Sequence, residues 1–179
     1  MLKLLLIGVA VLAALVAALF FYASTKPDTL RFSRSTLIEA QPQKIYVLIE
    51  DFHRWTEWSP YEHRDPNMKR TFGGAEKGEG ATYAWEGNSD IGSGRMEIIE
   101  ATSPSRILIQ LDFISPMEAH NIAVFTMEPE GEATLVTWTM EGEANIFSKV
   151  AGIFIDMDKM VGTDFEAGLA KLKSRAEEM

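Results

Sequence analysis

The chain has 179 residues, with 17 basic and 26 acidic side chains and no cysteine. Residues 1–26 hold two of the lysines and no acid, so residues 27–179 carry a net formal charge of −11. That charge excludes the basic footprint that nucleic-acid binding requires, and it disfavours a domain lying flat on anionic lipid. Without cysteine there is no disulfide framework, thiolate nucleophile or cysteine metal site.

The first element is an apolar run at residues 4–23, LLLIGVAVLAALVAALFFYA, which contains no charge. Its length suits a helix that crosses a hydrocarbon core of roughly 30 Å. A cleaved secretory signal is the alternative, because Lys3 provides a basic start. The run exceeds the usual signal core of about 7–15 residues, and cleavage after Ala23 would place bulky Phe21 where a small residue is preferred. We therefore predict that residues 1–26 are a membrane anchor.

The basic residues on the two sides of this run hardly distinguish its two orientations. Lys3 and the terminal amine precede the run, whereas Lys26, Arg31 and Arg34 follow it and are offset by Asp28. A short N-terminal arm is easily kept inside. We therefore predict a single-pass protein with one domain, residues 27–179, on the periplasmic or extracellular side.

The domain begins with a predicted strand at residues 29–40, followed by two short helices. Pro42 suits the first turn of a helix at 42–50, and a second helix at 52–58 stops before a Ser-Pro pair. Alternating segments separated by glycine and proline turns then predict six strands, at residues 68–72, 80–85, 94–101, 106–113, 119–129 and 133–143. In the fourth of these strands the period of two turns Gln110 and Asp112 toward solvent.

Residues 146–178 predict one long amphipathic helix with a break near Gly162. Its apolar face recurs at spacings of three and four through Val150, Phe154, Met157, Val161, Phe165, Leu169 and Leu172. A twisted sheet of this many strands curls, and this helix is the only long amphipathic element available to cover its inner face. The sequence therefore predicts an α+β fold in which a curved antiparallel sheet wraps around the C-terminal helix and leaves an apolar cavity.

The order of these elements and several short motifs resemble the START-like (SRPBCC) superfamily, and within it the polyketide cyclase/dehydrase and lipid-transport group. The motifs include Phe52-x-x-Trp55-x-x-Trp58-Ser59-Pro60, Gly78-x-Gly80-x-x-Tyr83-x-Trp85-x-Gly87, Thr137-Trp138-x-Met140 and Asp164-Phe165-x-x-Gly168-Leu169. The resemblance covers residues 29–175 and implies a helix-grip fold. It implies less about function, because this scaffold carries binding proteins, transfer proteins and some enzymes.

Aromatic side chains are the candidate ligand contacts. Large rings line pockets for apolar or ring-bearing ligands, although the same rings also serve as ordinary core. The residues that we predict to contact a ligand are Trp55, Trp58, Tyr61, Tyr83, Trp85, Trp138 and Phe154.

Catalytic groups are harder to find in this sequence. The three histidines, His53, His63 and His120, have no metal-binding spacing, and no nucleophile or phosphate motif is present. We predict no metal, no cofactor and no catalytic residue, with His63 as the remaining candidate for a general base.

Three functions remain open from the sequence. The first is a membrane-tethered domain that binds a lipid or another hydrophobic small molecule. The second is a cyclase or dehydratase that uses a histidine at the cavity mouth. The third is a non-catalytic interaction domain whose cavity is filled by its own side chains.

Overall fold

A computed structural model describes residues 2–179 and places two layers, a sheet and helices, in the predicted order. The helices are α1 (Leu2–Ser24), α2 (Pro42–Ile49), a 3₁₀ helix (Phe52–Glu57), α3 (Ile146–Phe154) and α4 (Met157–Glu177). The strands are β1 (Thr29–Ile38), β2 (Lys69–Gly74), β3 (Ala81–Glu86), β4 (Ser93–Thr102), β5 (Arg106–Ser115), β6 (Ala119–Glu130) and β7 (Ala133–Glu143).

All seven strands form one antiparallel sheet with the order β1-β7-β6-β5-β4-β3-β2. Alternation along the strands gives the sheet an inner apolar face, on which Ile107 and Ile109 of β5 are fully buried. Helix α4 covers this face through Phe165, Leu169 and Leu172. The predicted antiparallel sheet packed on a C-terminal helix is confirmed.

The C-terminal helical region is interrupted earlier than the sequence indicated. Ile155 is extended, and the side chain of Asp156 caps α4 by accepting a hydrogen bond from the backbone N–H of Lys159 at 2.9 Å. The expected break near Gly162 is wrong, because Gly162 lies inside α4. The guanidinium of Arg34 lies over this glycine, and a Cβ there would come within 1.8 Å of Arg34 Nη2.

Helix α1 is exposed along almost its whole length, and it is long and apolar enough to cross a membrane. A signal sequence near the N-terminus can meet the same criteria of length and apolar composition. The end of α1 carries the buried Ala23, and α1 contacts α3. Just beyond it, the backbone carbonyl of Asp28 accepts a hydrogen bond from the N–H of Ala144 at 2.8 Å, and the Asp28 carboxylate forms an ion pair with Lys149.

Candidate functional site

An apolar cavity of about 240 Å³ lies between the inner face of the sheet and α4. Its walls come from the 3₁₀ helix and the loop after it, from β3 to β7, and from α4. The aromatic residues in the lining are Trp55, Tyr61, Tyr83, Trp85, Phe113, Trp138 and Phe165. An engineered apolar cavity of about 150 Å³ holds one benzene molecule, so this space accommodates a larger apolar group.

Strand periodicity and one small residue account for the space in the sheet wall. Tyr83 and Trp85 are two apart on β3, so both point to the inner face, as do Leu111 and Phe113 on β5. On β6, Ala123 pairs with Ile109 of β5 and Met140 of β7, is buried and lines the cavity. The short side chain of Ala123 leaves room that a larger residue would fill.

Helix α4 approaches the sheet closely at one glycine. A Cβ on Gly168 would lie 2.9 Å from both Pro60 Cδ and Trp138 Cζ3, so any side chain there would push the helix away. The close approach brings Trp138 and Phe165 into a parallel stack with ring centroids 4.0 Å apart. Together these rings form the cavity wall between β7 and α4.

Trp138 has a polar group without a partner. Three tryptophans donate their indole N–H to backbone carbonyls: Trp55 to Ile49 at 3.0 Å, Trp58 to Leu48 at 2.9 Å and Trp85 to Ile91 at 3.2 Å. Within residues 2–179, the buried Nε1 of Trp138 has no hydrogen-bond partner. An unsatisfied buried donor costs about 1–3 kcal/mol.

The lining also holds one buried carboxylate, Glu62. It accepts hydrogen bonds from Arg70 Nε and from the hydroxyl of Tyr83, both at 2.7 Å. Burial, followed by the hydrogen bond to Glu62, raises the pKa of Tyr83 well above its usual range. The phenol therefore stays protonated as a donor, and the carboxylate is already paired with a cation.

A second polar group borders the cavity at Tyr61. Burial, followed by the negative charge of Asp164, raises the pKa of Tyr61 above its ordinary value. Asp164 is itself paired with Arg64, whose guanidinium lies 5.1 Å from the centre of the Tyr61 ring. Both carboxylates in the lining thus have arginine partners, and neither is free to act as a base without losing an ion pair.

The family model for polyketide cyclase/dehydrase and lipid transport matches residues 29–177, nearly the whole domain. The chain belongs to this family. The resemblance drawn from the aromatic and glycine motifs is therefore confirmed, and none of the curated proteins matches the chain significantly.

Solved structures agree with this family's fold. Protein CV1439 from Chromobacterium violaceum is 15% identical with a TM-score of 0.58, and the match covers 85% of this chain and 99% of that one. A protein of unknown function from Staphylococcus aureus, 11% identical, has a TM-score of 0.63 over 84% and 94% of the two chains. The di-domain ARO/CYC BexL of the BE-7585A biosynthetic pathway is 13% identical with a TM-score of 0.62, covering 87% of this chain and 52% of that one. At these identities the similarity shows the fold alone.

The structure brings five of the seven predicted aromatic contacts to the cavity of this family member, namely Trp55, Tyr61, Tyr83, Trp85 and Trp138. It does not bring Trp58 or Phe154 there. The ring of Trp58 is fully buried behind Trp55 and packs against Phe125 and Trp138. Phe154 ends α3 and is largely exposed, because the break at Ile155 separates it from the cavity-facing side of α4.

Several apolar lining residues were not singled out from the sequence as contacts: Met68, Ile91, Met96, Leu111, Phe113, Ala123, Met140, Val161 and Phe165. Strand phase was the available signal, since it places Leu111 and Phe113 on the same face as Ile109. Ala123 carries no such signal, because only the position of α4 shows that a small residue leaves space at that point.

None of the three histidines lines the cavity. His63 bonds the carbonyl of Thr56 at 3.0 Å on the surface, and His53 stacks on Phe72 outside the cavity. His120 is exposed and bonds Asp112 at 2.7 Å. His63, the remaining candidate for a general base, therefore does not reach this space in the structure.

Asp112 points to the outer face of the sheet, as expected, but the expectation that it is exposed to solvent is wrong. Asp112 is on the outer face, as strand phase predicted, but only 8% of it is exposed. Arg95, Gln110 and His120 surround the carboxylate with hydrogen bonds of 2.7 to 3.0 Å. Neighbouring polar side chains bury a group that alternation alone assigns to solvent.

Proposed function

We propose that this domain binds a neutral, predominantly apolar small molecule that carries one hydrogen-bond acceptor. The observation that carries the proposal is a cavity walled by aromatic rings in which the indole N–H of Trp138 lacks a partner. Buried polar groups in proteins are almost always paired, so an orphaned donor at a cavity wall favours a ligand carbonyl or ether at that point.

The cavity volume sets the size of the ligand. About 240 Å³ is below the range of roughly 300–1,000 Å³ usual for drug-sized sites, and above the volume that holds a single benzene. A two-ring molecule or one acyl chain fits this space, whereas a whole two-chain lipid requires the cavity to open further.

The charge of the lining favours a neutral ligand. Two residues in the lining carry carboxylates, Glu62 and Asp164. Their arginine partners, Arg70 and Arg64, are not part of the lining. An anionic ligand would enter beside two carboxylates and lose its own hydration, which is costly in a site of low dielectric constant. A ketone, ester or amide avoids this cost and still supplies an acceptor to Trp138.

The proposal includes tethering of the domain to a membrane by α1. Helix α1 contains an 18-residue apolar window with a mean hydropathy of 3.0, and the protein described by residues 2–179 buries none of that window. The bilayer supplies a cover for it, and we place the domain on the periplasmic or extracellular side.

Photolabelling tests the ligand site in the full chain, reconstituted in phosphatidylcholine nanodiscs. The probe is a neutral single-chain ketone with a diazirine at the chain end, and the adducts are located by peptide mass spectrometry. We expect adducts on peptides that contain Trp138 and Phe165. Ala123→Leu, which fills the cavity, should lower their yield several-fold.

Ala84→Leu is the matched control, since Ala84 lies next to Tyr83 and Trp85 on β3 and points away from the cavity. It should label as the natural sequence does. Equal labelling in A123L and A84L, or adducts confined to α1, would contradict a ligand site between the sheet and α4.

A further inference from the structure

The exposed apolar side chains of the domain are concentrated in a few segments. Outside α1 and the terminal Met179, the large apolar residues of the described chain that are more than half exposed are Ile114, Met117, Phe147, Phe154, Ile155 and Met160, at 51% to 73%. We call these six residues the apolar rim. A soluble monomer rarely gathers its exposed apolar residues in this way, and such patches mark contacts with proteins or membranes.

Strand pairing places the whole apolar rim at one end of the sheet. Thr29 at the start of β1 pairs with Glu143 at the end of β7, and Gly142 of β7 pairs with Asn121 near the start of β6. Ser115 at the end of β5 pairs with Ser93 at the start of β4. The turn from β5 to β6, which holds Met117, therefore lies at the end from which α3 and α4 follow β7. The rim residues of α3, of Ile155 and of the first turn of α4 are at this same end.

Helix α1 departs from this end as well. Only residues 25–28 separate α1 from β1, and four residues span at most about 14 Å. Asp28 is fixed to the domain by Ala144 and by the ion pair with Lys149 of α3. A bilayer surface at the end of α1 would therefore lie beside the apolar rim. Tyr22 and Lys26 at the helix end are of the types that occupy membrane interfaces.

The cavity opens at the same end of the sheet. Trp85 is one residue from the end of β3, Ile91 lies in the loop to β4, and Phe113 is close to the end of β5. Val161 belongs to the second turn of α4. Ile91, Phe113 and Val161 are only partly buried, so they mark where the apolar lining reaches the surface.

We propose that the apolar rim inserts into the surface of the bilayer that α1 spans, so that the cavity mouth opens onto lipid and the ligand enters from the membrane. This inference rests on the anchoring role of α1 proposed above. The partner is a zwitterionic lipid surface: the rim contributes apolar side chains, and the acidic domain gains nothing from anionic headgroups.

The chain lacks cysteine, so single labels report on this contact without background. Phe154→Cys and Met117→Cys place an environment-sensitive nitrobenzoxadiazole dye on two separate rim segments. Ile99→Cys is the control, because Ile99 lies toward the other end of β4 and is 40% exposed. The full chain is reconstituted in phosphatidylcholine nanodiscs at one copy per disc, with and without doxyl-labelled phosphatidylcholine.

We expect a blue shift and a loss of emission in doxyl discs for the labels at 154 and 117, and neither effect at 99. Labels at 154 and 117 that behave like the label at 99 would overturn the proposal. A second sample with two copies per disc tests whether another copy of the chain covers the rim. A blue shift that appears only in that sample would also overturn the proposal, because the rim would then contact a second copy of the chain and not lipid. A chain that does not enter discs would refute the anchor itself. If photolabelling of the cavity persists while the dyes on the rim are not quenched, the proposed insertion of the rim into the bilayer is refuted and the proposed ligand site is not.

Discussion

The network around Asp112 shows how single residues of the outer face respond to pH. The hydrogen bond to Asp112 is the main cause that raises the pKa of His120, the charges of Asp112 and Glu118 add to it, and desolvation and the charge of Arg95 oppose it. The same hydrogen bond is the main reason that the pKa of Asp112 is lowered. The folded state thus holds the His120 proton more tightly than the unfolded state does, so the stabilisation is complete below about pH 6.5 and is lost as pH rises through the raised pKa.

We therefore expect His120→Gln to destabilise the protein below about pH 6.5, with the difference from the natural sequence shrinking at higher pH. Denaturant unfolding of the detergent-solubilised chain across this pH range measures it. His63→Gln is the control, since His63 bonds only a backbone carbonyl. A destabilisation by H120Q that is constant with pH would show that the pair does not control it.

For single residues, the sequence predicted the face of the sheet to which a side chain points, but not the groups that surround that side chain. The period of two placed Asp112 outside, as the structure has it, whereas Tyr83, Trp85 and Trp138 were predicted as ligand contacts from their aromatic rings alone. It did not predict that Asp112 is buried, nor that the indole N–H of Trp138 lacks a partner. Both facts depend on neighbours contributed by other strands.

Among the elements, the seat of α4 on the sheet depends on Gly168. A methyl group there would lie 2.9 Å from a proline ring and from an indole, and both groups are rigid, so overpacking by Gly168→Ala should cost about 1–3 kcal/mol of unfolding free energy. It should also separate the stacked rings of Trp138 and Phe165.

Gly152→Ala is the control for that prediction, because a Cβ at Gly152 in α3 has nothing within 4 Å. The higher helix propensity of alanine should leave stability unchanged or raise it by up to about 1 kcal/mol. Thermal unfolding followed by near-ultraviolet circular dichroism compares the two variants. A G168A protein as stable as G152A would mean that α4 does not approach the sheet as described.

The strands could be predicted from the sequence more accurately than the C-terminal helices, because the sequence marks the ends of the strands more clearly. Alternation between glycine and proline turns was strong enough to predict every strand within a few residues. The predicted position of the break in the C-terminal helical region was wrong. Glycine lowers helix stability, so the break was expected near Gly162, whereas the side chain of Asp156 caps the start of a new helix. The apolar spacing that assigned Phe154 to the cavity assumes an unbroken helix.

On the scale of the whole molecule, three features share one end of the fold: the end of α1, the apolar rim and the open side of the cavity. The sequence predicted the apolar helix and the cavity separately. It could not predict their proximity, because that depends on the antiparallel pairing of β1 with β7 and on the four-residue connection.

Ligand-dependent stabilisation of the full chain in nanodiscs tests most directly that the cavity is a binding site. A ligand at about 100 times its dissociation constant stabilises the folded state by about 2.7 kcal/mol. With the neutral ketone as ligand, the unfolding temperature of the natural sequence and of A84L should rise with ketone concentration, and that of A123L should stay nearly constant. An equal rise in all three proteins, or no rise in any, would contradict the account.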